Sequence, residues 1–402
     1  MVDQMRWDYL YRFYDRFGSG GFKRVFNEGF TSENTFIPYA QTLTAAGHTT
    51  VYTGTTPAIH GIVGNEWYDK ALGRSVYCTE DNTVVTIGGS EKAAPQSPRN
   101  MWVTTICDEL KLATNFRSKV IGIAIKDRGG ILPVGHSADA AYWYDSKSGN
   151  WVTSTYYMNA LPEWVNKFNG RKIVDSLYKQ NWNTLYPIDT YVQSTKDDQV
   201  WEGKFGHETS PVFPHELNSQ IGKNYGTISS TPYGNTMAFA FARQAVEAEK
   251  MGADAITDFL ALSLSSPDYV GHQFGPNSIE VEDTYLRLDR ELAAFFSYLD
   301  QKVGKGQYLF FLTADHAVAH NPNFMGNHKF PAKYIDRNGQ ADFAKKVNEN
   351  FKVNNLILDF QNYHIYLNDR VIDSAGLKKS EVKKYLIDLL NKDENLFGCV
   401  RQ

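Results

Sequence analysis

The sequence is poor in cysteine, in long apolar runs and in charge of one sign, and each shortage argues against a class of protein. Its three cysteines are Cys78, Cys107 and Cys399, which have no CxxC spacing, so neither a zinc ribbon nor a disulfide framework is indicated. No apolar run approaches the length of a transmembrane helix, and the opening MVDQMRWDYL is not a signal peptide. The net charge of -4, without runs of like charge, predicts neither nucleic acid nor an anionic membrane as a partner. Any anionic substrate must therefore be held by a local site.

Three short apolar runs predict buried strands. They are VIGIAI (120–125), FLALSLS (259–265) and YLFFLTA (308–314), and helical periodicity fills 237–252 and 281–300 between them. Strands that alternate with helices predict an α/β fold with a mostly parallel central sheet and helices on both faces. Such sheets bind ligands beyond the carboxyl ends of their strands, so the polar residues that follow each run fall in one crevice.

The region 131–236 differs in composition, since it is rich in Tyr, Trp, Asn, Ser and Gly. Within it, AAYWYDSKSGNWVTSTYY (140–157) predicts two strands joined by a Ser-Lys-Ser-Gly turn. We interpret this region as an aromatic-rich α+β insertion over the core, with its aromatic side chains used for packing. At 402 residues the chain has room for one large α/β domain with insertions, or for two domains.

Carboxylate and imidazole side chains follow two of the predicted strands. Asp268 and His272 follow the second strand at i, i+4 spacing, and Asp315 and His316 follow the third. Asp3 has the same relation to a strand if the two residues before it are the remnant of one. Imidazole and carboxylate groups suit Zn²⁺. One such pair is weak evidence, but two pairs at strand ends predict a metal site. Their carboxylates would repel one another unless a cation neutralised them.

The segment QTLTAAGHTTVYTG (41–54) predicts a helix that begins at Thr44 and ends before Gly54. Thr is a favourable N-cap and Gly is common just past a helix end, so Thr44 has an ordinary structural explanation. A hydroxyl at a helix N-terminus also lies in a positive field, where an alkoxide or a phosphate is stabilised. The segment alone leaves both interpretations open.

Three further polar residues could meet a phosphoryl group. Lys126 and Arg128 follow the first predicted strand. Arg could bind by a bidentate fork and Lys as a point charge, although an isolated KDR is commonly a solvated loop tip. Asn65, in HGIVGNEWYD after the Thr44 helix, is by itself most simply a turn residue.

These segments together resemble a known family. VDQMR, TLTAAGHTTVYTGTTPAIHGIVGNEWYD, KDRGG, SPDYVGHQFGPNS and TADHAVAHNP are similar, in order along nearly the whole chain, to the alkaline phosphatase superfamily and its bacterial phosphate-irrepressible, threonine-nucleophile branch. The resemblance implies a metal-dependent phosphomonoester hydrolase that acts through a phosphothreonine intermediate at a two-zinc site. It also implies a periplasmic or secreted location and small-molecule phosphate monoesters as partners.

The resemblance implies a role for each candidate residue. Thr44 would be the nucleophile, Asn65 would contact phosphate, and Lys126 and Arg128 would distinguish a monoesterase from related diesterases. One zinc would be held by Asp3, Thr44, Asp315 and His316. The other would be held by Asp268, His272 and a late histidine.

The sequence departs from the family pattern near its end. The late zinc histidine of the family lies in a GT-x-HG stretch followed by a Tyr-Asp-Thr-His run, and this sequence has neither. His320, His328 and His364 do not match that motif, so the third protein ligand of one zinc is not found in this chain. The final DENLFGCVRQ resembles the middle of a second family insertion, and we expect a chain cut at both ends. The predicted division is core at 1–130, cap insertion over the active site at 131–236, core with metal ligands at 237–325 and second insertion, cut before the last core segment, at 326–402.

Two other functions remain open to the sequence. A chain with one intact metal site could be an inactive fragment that binds metal and phosphate. A phosphodiesterase or nucleotide pyrophosphatase of the same superfamily would share most of the ligands, although Lys126 and Arg128 argue against it. A sulfatase is disfavoured because the Cys-or-Ser-x-Pro-x-Arg signature is absent.

Overall fold

The computed structural model describes residues 1–91, 93–332, 334 and 339–392. The chain forms two compact units, which are Met1–Asn65 with Tyr77–His320, and Glu66–Val76 with the residues from Asn321 onward. Among the described residues, no helix is both long enough and apolar enough to cross a membrane.

The elements are numbered in chain order. The helices are α1 (Trp7–Arg12), α2 (Phe22–Glu28), α3 (Thr44–Thr53), α4 (Pro57–His60), α5 (Ile106–Ala113), α6 (Asp127–Ile131), α7 (Glu163–Gly170), α8 (Ile173–Tyr178), α9 (Tyr233–Ala248), α10 (Ser266–Phe274), α11 (Ile279–Leu299), α12 (Pro322–Asn327), α13 (Gly339–Phe351), α14 (Asp369–Ser374) and α15 (Lys379–Leu390). The strands are β1 (Glu66–Asp69), β2 (Arg74–Tyr77), β3 (Thr86–Ile87), β4 (Val120–Ala124), β5 (Ala140–Asp145), β6 (Asn150–Ser154), β7 (Phe259–Ser263), β8 (Ile357–Gln361) and β9 (His364–Leu367).

The first unit contains a five-stranded sheet in the order β3-β6-β5-β4-β7. Strand β4 pairs in parallel with β5 and β7, placing Ile121 opposite Ala140 and Leu260. Strand β6 runs antiparallel to both β5 and β3. The sheet is therefore mixed, parallel over β5, β4 and β7 and antiparallel over β3, β6 and β5, and the predicted α/β fold is confirmed.

The β5–β6 hairpin is confirmed where the sequence predicts it, but it belongs to the central sheet. The sequence had assigned it to the insertion at 131–236, whereas β5 pairs directly with β4. All six residues of β5 are buried, so its alternating side chains contact both layers of the core. The predicted position of the remaining insertion over the site stays a prediction.

Helices cover both faces of this sheet. On one face, Ile121 and Ile123 pack in a core cluster with Met237 and Phe241 of α9. On the other face, Val120 belongs to a second cluster with side chains from α3 and α5, which are Tyr52 and Cys107. A strand covered on both faces has a continuous apolar sequence, which is why the sequence predicts β4, whose five residues are all buried.

The predicted strand at 308–314 is wrong. In the described chain, this run forms no strand. The Thr313 carbonyl accepts a hydrogen bond from Val2 N–H at 2.9 Å. Leu309 is 92% exposed, so an apolar sequence here does not mark a buried strand. Val2 itself forms a parallel bridge to Leu264, which confirms that the residues before Asp3 continue the sheet edge.

The two long helices lie close to their predicted positions. Helix α9 begins four residues before the predicted 237–252, because its first turn extends over Tyr233 and Gly234. Helix α11 begins at Ile279, where the Ser278 side chain accepts from Val281 N–H as an N-cap.

The second unit has its own small core. It contains the β1–β2 and β8–β9 ribbons and helices α12 to α15. The fully or nearly buried side chains of this core are Val347, Leu356, Leu367, Ile372, Val382 and Leu386. The unit includes Glu66–Val76, which the sequence assigns to the first core segment, and the predicted division into core and insertions stays a prediction. Cys399 lies outside the described residues, whereas Cys78 and Cys107 are buried free thiols of the first unit.

Candidate active site

Thr44 is the first residue of α3, and its hydroxyl does not cap the helix. The N-cap position is Leu43, and no side chain of that residue serves the cap. Asn65 instead accepts the Ala45 N–H through Oδ1 at 3.0 Å. The interpretation of Thr44 as an N-cap is therefore wrong, because a residue from a later loop supplies the acceptor. Its Oγ1 lies 3.3 Å from Lys126 Nζ and 3.4 Å from His316 Nε2.

Lys126 places a buried ammonium between two carboxylates. Its Nζ is 2.7 Å from Asp3 Oδ2 and also bonds Asp268 Oδ2. Burial alone would lower the pKa of Lys126, but the charges of Asp3 and Asp268 outweigh it and raise the pKa above its ordinary value. The side chain therefore stays a cation beside the Thr44 hydroxyl.

The two carboxylates respond differently to this environment. Burial and the nearby charge of Asp315 raise the pKa of Asp3 well above its usual range. Burial would also raise the pKa of Asp268, but a hydrogen bond with His272 and the charge of Lys126 hold it below its usual range. A second cation near Asp3 would stabilise its ionised form.

His316 presents a lone pair toward the same space. Its Nδ1 lies 2.8 Å from the Ala317 carbonyl, to which only an N–H can donate. Nε2 is then unprotonated in the neutral ring, and it lies 3.5 Å from Asp3 Oδ1. Asp315 accepts from the His316 backbone N–H at 3.0 Å, which fixes the neighbouring carboxylate.

The donor set fits a divalent cation such as zinc. Ligand atoms of Asp3, Asp268 and His316 all lie within 4.8 Å of one another, and all three residues are buried. Both carboxylate oxygens of Asp3 are buried without a hydrogen-bond donor, and Oδ2 of Asp315 is buried 3.2 Å from His48 Nδ1, which also lies 2.9 Å from the Thr44 carbonyl. Lys126 is within ion-pair distance of Asp3, but an ammonium at that distance without hydrogen-bond geometry leaves the oxygens only partly compensated. Carboxylate and imidazole ligands suit zinc.

The structure brings the six predicted ligands into one continuous cluster. The group of three takes Asp3 and His316 from one predicted zinc site and Asp268 from the other. His272 Nε2 is 3.2 Å from Asp268 Oδ1, with its side chain 68% exposed. The predicted partition into two zinc sites stays a prediction.

Lys126 immediately precedes α6 and Arg128 lies in its first turn, and their side chains have different partners. Arg128 Nη1 donates to the Tyr77 hydroxyl at 3.0 Å, and that hydroxyl donates to Asp127 Oδ1 at 2.6 Å. Arg128 Nε is buried without a partner. The guanidinium is thus held by Tyr77, whereas Lys126 is held by the carboxylates.

Sequence reasoning missed three residues that support this site, namely Gln4, His48 and Tyr77. His48 is fully buried, and its ring nitrogens lie 2.9 Å from the Thr44 carbonyl and 2.8 Å from Ser263 Oγ. It therefore ties α3 to the end of β7. Gln4 and His48 stand inside segments that carried the family resemblance, but Tyr77 has no local signal.

Comparisons with known proteins identify a family and several similar proteins. The sequence profile of the type I phosphodiesterase / nucleotide pyrophosphatase family matches residues 1–398. A protein named calcium-transporting ATPase from Myroides odoratus is 55% identical over 98% of this chain and 72% of its own length. Alkaline phosphatase PhoV from Synechococcus elongatus is 51% identical over 100% of this chain and 72% of its own length.

A solved structure is similar over the same extent. The crystal structure of alkaline phosphatase PafA is 48% identical and matches with a TM-score of 0.95, over 99% of this chain and 76% of that chain. A PafA variant with substitutions at a threonine, an asparagine, a lysine and an arginine matches equally well. Since the family profile spans almost the whole chain, and the chain covers about three quarters of the length of these relatives, the chain belongs to the type I phosphodiesterase / nucleotide pyrophosphatase family, as an alkaline phosphatase-like hydrolase.

Proposed function

We propose that this protein hydrolyses phosphate monoesters with Thr44 as the nucleophile. The observation that carries the proposal is the position of Thr44 Oγ1, which lies at the start of α3 between Lys126 Nζ and His316 Nε2. Thr44 is only 3% exposed, and its hydroxyl does not cap α3. A buried hydroxyl beside a cation and metal-ligating groups is suited to nucleophilic attack.

Zinc is the cofactor that the donor set supports. Asp3, Asp268 and His316 would hold an ion, and in the two-zinc assignment Thr44, Asp315 and His272 complete the ligands that this chain supplies. Bound there, zinc would neutralise the carboxylates and lower the cost of forming the Thr44 alkoxide. His316 offers its unprotonated Nε2 because Ala317 holds its Nδ1–H.

The chemistry proceeds in two displacements. Thr44 Oγ1 forms a bond to phosphorus, the bond from phosphorus to the ester oxygen breaks, and the alcohol leaves with the proton that the Thr44 hydroxyl loses. A water molecule then attacks phosphorus, the bond to Oγ1 breaks, and inorganic phosphate is released as the hydroxyl regains its proton. Phosphoryl transfer requires mainly positioning and charge neutralisation, and Lys126 supplies a fixed positive charge 3.3 Å from the nucleophile.

Monoesters are the substrate class that the charged residues favour. A monoester carries one more negative charge than a diester, so Lys126 and Arg128 would stabilise it more. The substituted threonine and asparagine of the PafA variant have the spacing of Thr44 and Asn65, and its lysine and arginine have that of Lys126 and Arg128. The family description includes phosphodiesterases, so a diester is the rival substrate. The resemblance also supports a periplasmic or secreted location, which fractionation of the producing bacterium would test.

One experiment separates these functions. The zinc-loaded full chain is assayed with p-nitrophenyl phosphate and with bis(p-nitrophenyl) phosphate, and acid-quenched protein is examined by mass spectrometry for a phosphorylated Thr44 peptide. We expect faster monoester hydrolysis and a labelled peptide, with Thr44→Ala losing the label and several orders of magnitude in kcat/KM.

Each alternative gives a different result. Preferential diester hydrolysis would support the phosphodiesterase, and zinc binding without turnover would support the inactive fragment. Near-parental turnover by Thr44→Ala, with Thr44→Ser as the conservative control, would exclude Thr44 as the nucleophile.

A further inference from the structure

The Asp3–Gln4 turn brings an unassigned side chain to the metal-ligand cluster. Val2 and Met5 close the turn through a Met5 N–H to Val2 carbonyl bond of 3.3 Å. Gln4, at the third position, has φ of 62°, a left-handed conformation that few residues other than glycine adopt. Its residue is only 2% exposed. A buried glutamine in this conformation requires interactions that hold it there.

Gln4 contacts two carboxylates that come from separate parts of the chain. Its backbone N–H donates to Asp315 Oδ1 at 3.1 Å. Its side-chain Nε2 donates to Asp268 Oδ1 at 2.8 Å. One residue therefore connects the carboxylate at the start of α10 to the carboxylate that follows 308–314, directly beside Asp3.

Helix α10 is shaped to accept the Gln4 amide. Gly271 lies one turn after Asp268, and a Cβ built on it would stand 2.1 Å from Gln4 Oε1. The missing side chain at Gly271 therefore leaves the space that the amide fills. Because only the NH₂ group can donate to a carboxylate, the amide orientation is fixed with Nε2 toward Asp268 and Oε1 toward Gly271.

We infer that Gln4 is a positioning residue, which sets the orientation of Asp268 and Asp315 for metal binding. By donating to Oδ1 of each carboxylate, it fixes how the Asp268 and Asp315 carboxylates are turned beside Asp3. This inference rests on the proposed function, since it concerns the zinc ligands of that site. Hydrogen-bond partners of metal ligands commonly contribute about 10- to 100-fold to metal affinity.

Two variants remove the amide of Gln4 but differ in their effect on the backbone conformation, so that a loss of stability in one does not decide the test. Gln4→Gly removes the side chain, keeps the N–H that Asp315 accepts, and suits the positive φ. Gln4→Met keeps the length and the backbone strain of glutamine but has no N–H donor for Asp268. Zinc affinity of the full chain is measured by competition with a chromophoric chelator, beside melting temperature with and without chelator, and kcat and KM for p-nitrophenyl phosphate.

We expect both variants to lose about 10- to 100-fold in zinc affinity, with the activity loss partly restored by excess zinc. A merely structural role would lower the melting temperature equally with and without chelator, and would leave zinc affinity at the parental value, which overturns the inference. An affinity loss in only one variant also overturns it, because both lack the donor. If one variant does not fold, the other decides. A parent chain that binds no zinc would instead overturn the proposed function, and this inference with it.

Discussion

Asn65 has two roles to distinguish, which are stabilising the start of α3 and contacting a phosphate substrate. Its Oδ1 accepts the Ala45 N–H, while the family role requires a contact with phosphate. We expect Asn65→Ala to lower unfolding free energy by about 1 kcal/mol, the usual cost of losing a helix cap, and to reduce kcat/KM. Thermal unfolding and steady-state kinetics with p-nitrophenyl phosphate measure the two effects.

Asn65→Asp is the matched control. Aspartate keeps an oxygen acceptor for Ala45, so we expect stability near that of the parent. Its added negative charge repels a phosphate ester, so KM for the monoester should rise. An unchanged KM in Asn65→Asp would show that this side chain lies away from the substrate.

Arg128 and Tyr77 give a second prediction at the residue scale. Arg128→Ala should lower kcat/KM for a phosphomonoester more than for a diester, because in its proposed role the arginine would stabilise the extra negative charge of the monoester. Tyr77→Phe removes the hydroxyl that holds Arg128, so we expect a smaller loss in the same direction. The ratio of kcat/KM for p-nitrophenyl phosphate to that for bis(p-nitrophenyl) phosphate is the measurement. Equal losses on both substrates would mean that the arginine only stabilises the local structure around α6.

At the scale of helices and strands, the sequence predicted what depends on local pattern and failed where distant segments decide. Strand β4 is predictable because burial on both faces leaves a continuous apolar run, and β7, which is partly buried beside it, has a similar run. The run at 308–314 is similarly apolar, but in the described chain it forms no strand. A strand requires a neighbouring strand to share its backbone hydrogen bonds. Composition cannot report whether such a neighbour is present.

In the candidate site, too, the sequence indicated the residue types but not their contacts. The residue types of Thr44, Asp268 and His316 carried the resemblance, but their partners did not follow from the sequence. Asn65 caps α3 from a later loop, and Lys126 reaches across the sheet edge to the carboxylates. These contacts join segments far apart in the chain, so local propensities contain no record of them.

Helix α3 depends on a close approach that one methyl group would disturb. A Cβ at Gly47 would lie 2.2 Å from the Asp315 carbonyl oxygen. We therefore expect Gly47→Ala to displace α3 from Asp315, which lowers the free energy of unfolding by about 1 to 3 kcal/mol and strongly reduces activity. Urea unfolding and monoester turnover are the measurements.

Gly54 provides the control within the same helix. It lies past the helix end with φ of 66°, and a Cβ there would meet nothing within 4 Å. Gly54→Ala should cost about 1 kcal/mol of left-handed strain and leave kcat unchanged. Similar activity losses in both variants would show that helix stability, rather than the approach to Asp315, limits turnover.

At the scale of the whole molecule, a buried ion-pair triad links stability to pH. His215 Nδ1 is 3.1 Å from Glu208 Oε1, and its Nε2 is 3.2 Å from Glu280 Oε1 on α11. Burial would lower the pKa of His215, but hydrogen bonds to these two carboxylates raise it to about 9. The folded protein therefore retains this proton over a range in which unfolded histidine, with a pKa of about 6.5, releases it.

The sign of the pH effect follows from that difference. The stabilisation is fully present below about pH 6.5 and is lost as the pH rises through about 9, with a size of about 3 kcal/mol. We expect the melting temperature to fall across this range, and His215→Gln to flatten the slope while lowering stability at neutral pH. The exposed His328→Gln is the control and should keep the parental slope. An unaltered slope in His215→Gln would refute the assignment.

The two buried thiols bear on chemical labelling of the protein. Burial raises the pKa of Cys78 to about 12 and also raises that of Cys107, so both stay protonated in alkaline buffers that ionise ordinary cysteines. In a Cys399→Ser variant, Ellman's reagent should react only after denaturation. A single cysteine introduced at Val200, which is 93% exposed, would then be the one position on the native protein to which a maleimide fluorophore attaches.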